Sequence, residues 1–231
     1  MTLNWTQIDT VLLDMDGTLL DLAFDRYFWL EHVPLTLSEA RGITLSEAEA
    51  LIAGKYQAVA HTQNWYCLDY WAAELGLDIR AMTFAKRGLA AIREDTVPFL
   101  HALRRAGKRT ILLTNAHPYN LDVKLAQTGL ALHLDLLLST HTFGYPKEDP
   151  RYTFGYPKED PRLWQAVEQH TGLQCSRTLF IDDNEAILDA ARSWGIGWCL
   201  GVSNPDSGRP DQVFQRHAAV RDYRTLCSAR A

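Results

Sequence analysis

The chain has 231 residues, 47% of them hydrophobic and 22% charged, enough apolar material for a real core in one large domain or a domain with an insertion. A net charge of −5 with no basic stripe argues against long-range attraction to a nucleic-acid polymer or an anionic membrane, so any phosphate must be met locally. The opening Met1 to Asp9 has neither a basic nor an apolar stretch, and no apolar run approaches about 18 residues, which predicts a soluble cytoplasmic protein.

The first apolar run, Val11-Leu12-Leu13, reads as a buried strand closed by Asp14-Met15-Asp16-Gly17-Thr18. Alternate positions of an extended segment point the same way about 7 Å apart, so Asp14 and Asp16 can flank one reacting group. Gly17 supplies the turn and Met15 packs inward. Residues 21–94 then read as helices, including Leu45 to His61 and Trp65 to Leu75, with an aromatic-rich stretch from Leu20 to His32. They predict a helical cap inserted into a core domain made of residues 1–20 and 95–231. The cap aromatics Phe24, Tyr27, Phe28, Trp29, Trp65, Tyr66, Tyr70 and Trp71 suit a bundle core, with one or two available as a stacking surface for a flat substrate.

From Thr96 the pattern alternates. A helix carrying Phe99, Leu100 and Leu103 ends at Gly107, and Thr110 to Asn115 is a strand. Leu121 to Thr128 is a helix stopped by Gly129, Leu134 to Ser139 a strand, and Leu163 to Thr171 a helix stopped by Gly172. Leu179 to Asp182 is a strand, Glu185 to Trp194 a helix stopped by Gly195, and Ile196 to Val202 the final strand. Such alternation predicts an α/β fold, a Rossmann-like parallel sheet with helices on both faces and a working site at the carboxyl ends of its strands. A second acidic pair, Asp182-Asp183, ends one of these runs, and like charges gathered at strand ends call for a cation. Mg2+ suits carboxylate and phosphate oxygens together, with Mn2+ an acceptable substitute.

Thr142 to Arg151 recurs unchanged as Thr153 to Arg162, an 11-residue period inside 142–162 that reads as a recent tandem insertion rather than a solenoid. Only one of its lysines can serve a site near the acids. Lys158, which runs directly into the Pro161-Arg162-Leu163-Trp164 helix start, is preferred to Lys147. The four cysteines, Cys67, Cys175, Cys199 and Cys227, are widely spaced and read as reduced and structural, with Cys199 on a buried strand.

Four segments in this order, Asp14-Met15-Asp16-Gly17-Thr18, Thr114 after Ile111-Leu112-Leu113, the lysine of Tyr156-Pro157-Lys158, and Phe180-Ile181-Asp182-Asp183, resemble the haloacid dehalogenase superfamily of phosphohydrolases over nearly the whole chain. The resemblance implies that Asp14 attacks phosphorus to form an aspartyl-phosphate and that Asp16 protonates the leaving oxygen and later activates water. It also implies Mg2+ held by the Asp14 carboxylate, the Asp16 carbonyl and Asp183, with Asp182 direct or behind it. Thr114 would bind a phosphoryl oxygen and Lys158 would balance the charge of transfer, with Asn115 a further candidate donor to phosphate or substrate. The implied substrate is a small phosphomonoester, a purine nucleoside monophosphate such as GMP or IMP, with FMN or sugar phosphates as alternatives. A phospho-acceptor signalling module gathers similar groups but places its nucleophile after its acidic pair, and a dehalogenase does not normally keep an acid at the position of Asp16.

Overall fold

A computed structural model describes residues 3–60, 62–141, 152–153 and 155–227 of the chain. Its centre is one parallel sheet of β1 (Thr10–Leu13), β2 (Arg109–Thr114), β3 (Leu136–Ser139), β4 (Tyr152–Thr153), β5 (Thr178–Asp182), β6 (Trp198–Val202) and β7 (Ala219–Val220). The strands lie in the order β4-β3-β2-β1-β5-β6-β7, so β1 sits in the middle with β2 and β5 on either side.

The helices follow as α1 (Ala23–Tyr27), a π-helical turn (Phe28–His32), α2 (Val33–Arg41), α3 (Leu45–Val59), α4 (Gln63–Tyr66), α5 (Leu68–Leu75) and α6 (Ile79–Lys86) between β1 and β2. Then come α7 (Thr96–Arg105), α8 (Pro118–Thr128), α9 (Pro161–Thr171), α10 (Glu185–Trp194) and α11 (Arg224–Cys227).

Every residue of β1 is buried, which is what a central parallel strand covered on both faces requires. Side chains alternate between the two faces. Val11, Leu13, Leu112, Leu179 and Ile181 pack with Phe99, Leu100 and Leu103 of α7 and Leu121 and Leu125 of α8. Leu12, Ile111, Leu113 and Phe180 pack with Leu163, Trp164 and Val167 of α9 and Ile187, Leu188 and Ala191 of α10. The expected α/β sheet with helices on both faces is therefore present.

The helices α1 to α6 enclose an apolar cluster of their own, in which Phe24, Phe28, Leu37, Ile52, Trp71 and Ile79 are buried. The expected helix over Trp65 to Leu75 is two: Cys67 is extended (φ −87°, ψ 109°), ending α4, and its Sγ accepts from the Tyr70 N–H to cap α5. His61, the expected end of another helix, lies outside the described residues. Ile196 to Val202 is not the last strand, because β7 pairs beyond it. Helices α8 and α9 begin earlier than their apolar periodicity suggests, since each opens with proline behind a capping side chain, His117 and Asp160.

Candidate active site

The register of the three central strands brings their polar ends to one edge of the sheet, with Asp14 level with Asp182 and Thr114 one residue further along β2. Leu13 pairs with Leu112 and with Ile181, so the residues just beyond, Asp14 on one side and Thr114 and Asp182 on the others, gather at the carboxyl edge of the sheet. Gly17 turns the chain back with φ +81°, and a side chain there would meet Asp183 Oδ2 at 2.5 Å. Only glycine satisfies both demands.

Lys158, 2% exposed, donates from Nζ to Asp14 Oδ1 and to Asp182 Oδ2, both at 2.6 Å. Ligand oxygens of Asp14, Asp182 and Asp183 lie within 4.8 Å of one another. Burial pushes the Asp14 carboxyl up to about 7; Lys158 pulls it down and Asp182 adds to the rise. Asp183 is raised well above the ordinary carboxylate range by burial, then by Asp182 and Asp14. Burial opposes the charge on Lys158, but the two carboxylates outweigh it and raise its pKa. Three hard oxygen donors that resist ionising together are a donor set suited to a small divalent cation, and Mg2+ fits it.

Asp16 is also at the site, but its carboxylate faces a different cation. Lys124 Nζ, from α8, donates to Asp16 Oδ1 and to both oxygens of Asp25 on α1, each at 2.7 Å. Thr114 is buried at the end of β2, where its Oγ1 accepts from the Ala116 N–H at 3.1 Å. Asn115 lines the cleft, yet its side chain is engaged in holding the loop. Its Oδ1 accepts from the Lys158 N–H at 3.0 Å and the Thr140 hydroxyl at 2.8 Å, and its Nδ2 donates to Glu159 Oε2 at 3.3 Å. Lys147 lies outside the described residues, as does the first copy of the duplication. The second copy supplies Lys158 and Asp160, whose carboxylate caps α9.

These groups line a cleft of about 590 Å³. Asp14, Asp16, Asp183, Thr114 and Lys158 line it from the sheet edge, and Trp29, Leu30, Trp65 and Tyr66 from the helices between β1 and β2. A smaller recess of about 120 Å³ adjoins it through Trp29, Leu30 and Trp65, with Tyr56 and Trp71 completing its wall. Two polar atoms of that wall are committed, since Tyr56 Oη donates to the Trp29 carbonyl and Trp71 Nε1 to the Trp65 carbonyl. Four of the five residues lining the recess are aromatic.

The sequence reading missed Lys124 and Asp25. A signal existed: Lys124 occupies the apolar stripe of α8, three residues after Leu121 and one before Leu125, where a charged side chain must find buried partners. A second cluster, Cys67, His117 and His141, also brings ligand atoms within 4.8 Å. His117 Nδ1 accepts from the Tyr119 N–H at 3.1 Å, which leaves its proton on Nε2, 3.5 Å from Asp69; a metal-binding nitrogen needs the reverse.

The model of one family, haloacid dehalogenase-like hydrolase, matches residues 8–195, which contain Asp14, Thr114, Lys158 and the Asp182-Asp183 pair. The chain belongs to the haloacid dehalogenase-like hydrolases. It is 59% identical over 226 residues, 98% of this chain and 97% of the relative, to a GMP/IMP nucleotidase of Escherichia coli (strain K12). An (S)-2-haloacid dehalogenase of Pseudomonas sp. (strain YL) is 30% identical over 160 residues, 68% of this chain and 62% of that protein. Among solved structures, a haloacid dehalogenase-family phosphatase from Thermococcus onnurineus shares the fold with a TM-score of 0.75 at 20% identity, covering 95% of this chain and 96% of that one. No helix among the described residues is long and apolar enough to cross a membrane.

Proposed function

We propose that this hydrolase is a Mg2+-dependent phosphatase that removes phosphate from purine nucleoside monophosphates, GMP and IMP, through an aspartyl-phosphate on Asp14. The observation that carries the reading is the buried Asp14–Lys158–Asp182 array lining the cleft, in a chain so similar to a GMP/IMP nucleotidase. In the first half-reaction an Asp14 oxygen bonds to phosphorus as the phosphorus–oxygen bond to the nucleoside breaks, and Asp16 gives its proton to the departing oxygen. In the second, water attacks the phosphorus, Asp16 takes a water proton, and Asp14 is released with inorganic phosphate. Such acid/base help is typically worth about 10²- to 10⁴-fold.

Lys158 balances the charge spread over the phosphoryl oxygens, and the Thr114 hydroxyl, which accepts from the Ala116 N–H, has its own proton to donate to one of them. Asp14, Asp182, Asp183 and the Asp16 carbonyl would hold Mg2+, which when bound shields the nucleophile from the phosphate and keeps Asp14 ionised. Asn115 acts on substrate through Lys158, whose backbone it holds. Residues 21–94 serve as a cap over the core of 1–20 and 95–231, and ring faces of Trp29 and Trp65 stack on the purine, with stacking worth about 1–3 kcal/mol per base.

Phosphate release from GMP, IMP, FMN and a sugar phosphate, measured with Mg2+ and again with chelator, tests the reading. GMP and IMP should react fastest and only with the metal. Equal rates across the panel would remove the nucleotide assignment, and undiminished release in chelator would remove the metal.

A further inference from the structure

Lys124 is 0% exposed, and its ammonium has three protons for three acceptors at 2.7 Å: Asp16 Oδ1, Asp25 Oδ1 and Asp25 Oδ2. The partners lie 108 and 99 positions away in the chain, and Phe24 covers the cluster with its ring centre 5.3 Å from Nζ. Charge this deeply buried is costly, and a well-packed apolar side chain in its place is often neutral or more stable. A lysine on the apolar stripe of α8 thus needs a reason beyond stability. Asp16 and Asp25 line the cleft, whereas Lys124 stands behind them, out of reach of a substrate. Asp25 belongs to α1, the first of the helices whose later members carry Trp29 and Trp65 to the opposite wall.

We propose that Lys124 is a positioning residue that fixes the Asp16 carboxylate toward the leaving-group oxygen and, through Asp25, makes that placement depend on how α1 is seated against the core. The proposal rests on the reading of Asp16 as the acid that protonates the leaving group. Without the ammonium, Asp16 and Asp25 would repel across the same space and Asp16 would leave its place. When α1 sits against α8, the Asp25 end of the tie locks the ammonium, and with it Asp16, in the geometry seen here. Seating of the substrate-covering helices and readiness of the proton donor become one event.

The test contrasts two leaving groups. A nucleoside alkoxide needs a proton as it departs; the p-nitrophenolate of p-nitrophenyl phosphate leaves as an anion. For Lys124→Met, kcat/KM, which reports the first half-reaction, should fall about 10²-fold on GMP and at least about tenfold less on p-nitrophenyl phosphate. Asp16→Asn must show the same contrast. Asp25→Asn, which keeps the shape and loosens only the α1 end, should show it more weakly and carries the test if Lys124→Met does not fold by circular dichroism. Equal losses on both substrates, or none, in the folded variants would overturn the proposal. If the wild type ignores GMP, the nucleotide reading fails by itself, and the same contrast is measured between a sugar phosphate and p-nitrophenyl phosphate.

Discussion

Lys158 Nζ stands 2.6 Å from Asp14 Oδ1 although 144 positions separate the two residues. The contact joins the end of β1 to the loop that starts α9, and Asp182 closes it from β5. Three ionisable groups that burial would otherwise penalise hold one another in the wall of the cleft.

Asp14→Asn should reduce phosphate release from GMP to background while circular dichroism stays that of the wild type. Asparagine keeps the shape and can still accept from Lys158, but its amide oxygen is a poor nucleophile. A rate near that of the wild type would overturn the mechanism.

Lys158→Ala should abolish turnover and lower the melting temperature, because removing one partner of a buried ion pair typically costs about 3–5 kcal/mol. Lys147→Ala, assayed beside it, should keep the wild-type rate. The opposite ranking would assign the site to the first copy of the repeat.

The acids at the site give stability an unusual pH dependence. Asp14 is raised from 3.8 to about 7, chiefly by burial, so between those values the native chain retains a proton that the unfolded chain has released, and stability falls as pH rises. The buried imidazole of His141, lowered to about 4, works the other way, since the unfolded chain binds its proton up to about pH 6.5. The difference between Asp14→Asn and wild type isolates the first effect. In chelator the variant should gain in melting temperature over the wild type as pH rises from about 5 to about 8. Mg2+ should recover the wild type more at the upper pH. A constant difference would mean that Asp14 ionises like an exposed acid.

Trp65→Ala should raise KM for GMP by about 5- to 150-fold, the equivalent of about 1–3 kcal/mol of base stacking, with a small effect on kcat. Hydrolysis of a sugar phosphate, which has no aromatic base to stack, should be nearly untouched. A parallel loss on both would assign Trp65 to packing.

The central strands were legible because each is an apolar run buried on both faces and closed by a polar residue, as Leu12-Leu13-Asp14 and Phe180-Ile181-Asp182 are. Strands β4 and β7, two residues each, offer no such run and depend on pairing to longer neighbours. The break at Cys67 was hidden because the aromatics around it continue a helical spacing; the extended backbone that begins a new capped helix is set by local hydrogen bonds instead. Aspartates 14, 16, 182 and 183 stood out because acids at strand ends are conspicuous. The apolar stripe of α8 could flag Lys124 as a buried charge, but its partners Asp16 and Asp25 lie about a hundred positions away, and no local pattern names them.

The fixed pairing of β1 with β2 and β5 separates two kinds of evolutionary freedom. Sliding one strand by a single residue from its present pairing would move its end by about 3.3 Å and turn its side chains to the opposite face, so that edge tolerates almost no drift. The tryptophan wall opposite hangs from a cluster of its own, where exchanging one ring for another leaves the sheet undisturbed. New specificities can thus arise by exchanging rings of that wall, provided the Asp25–Lys124–Asp16 tie to α1 is kept.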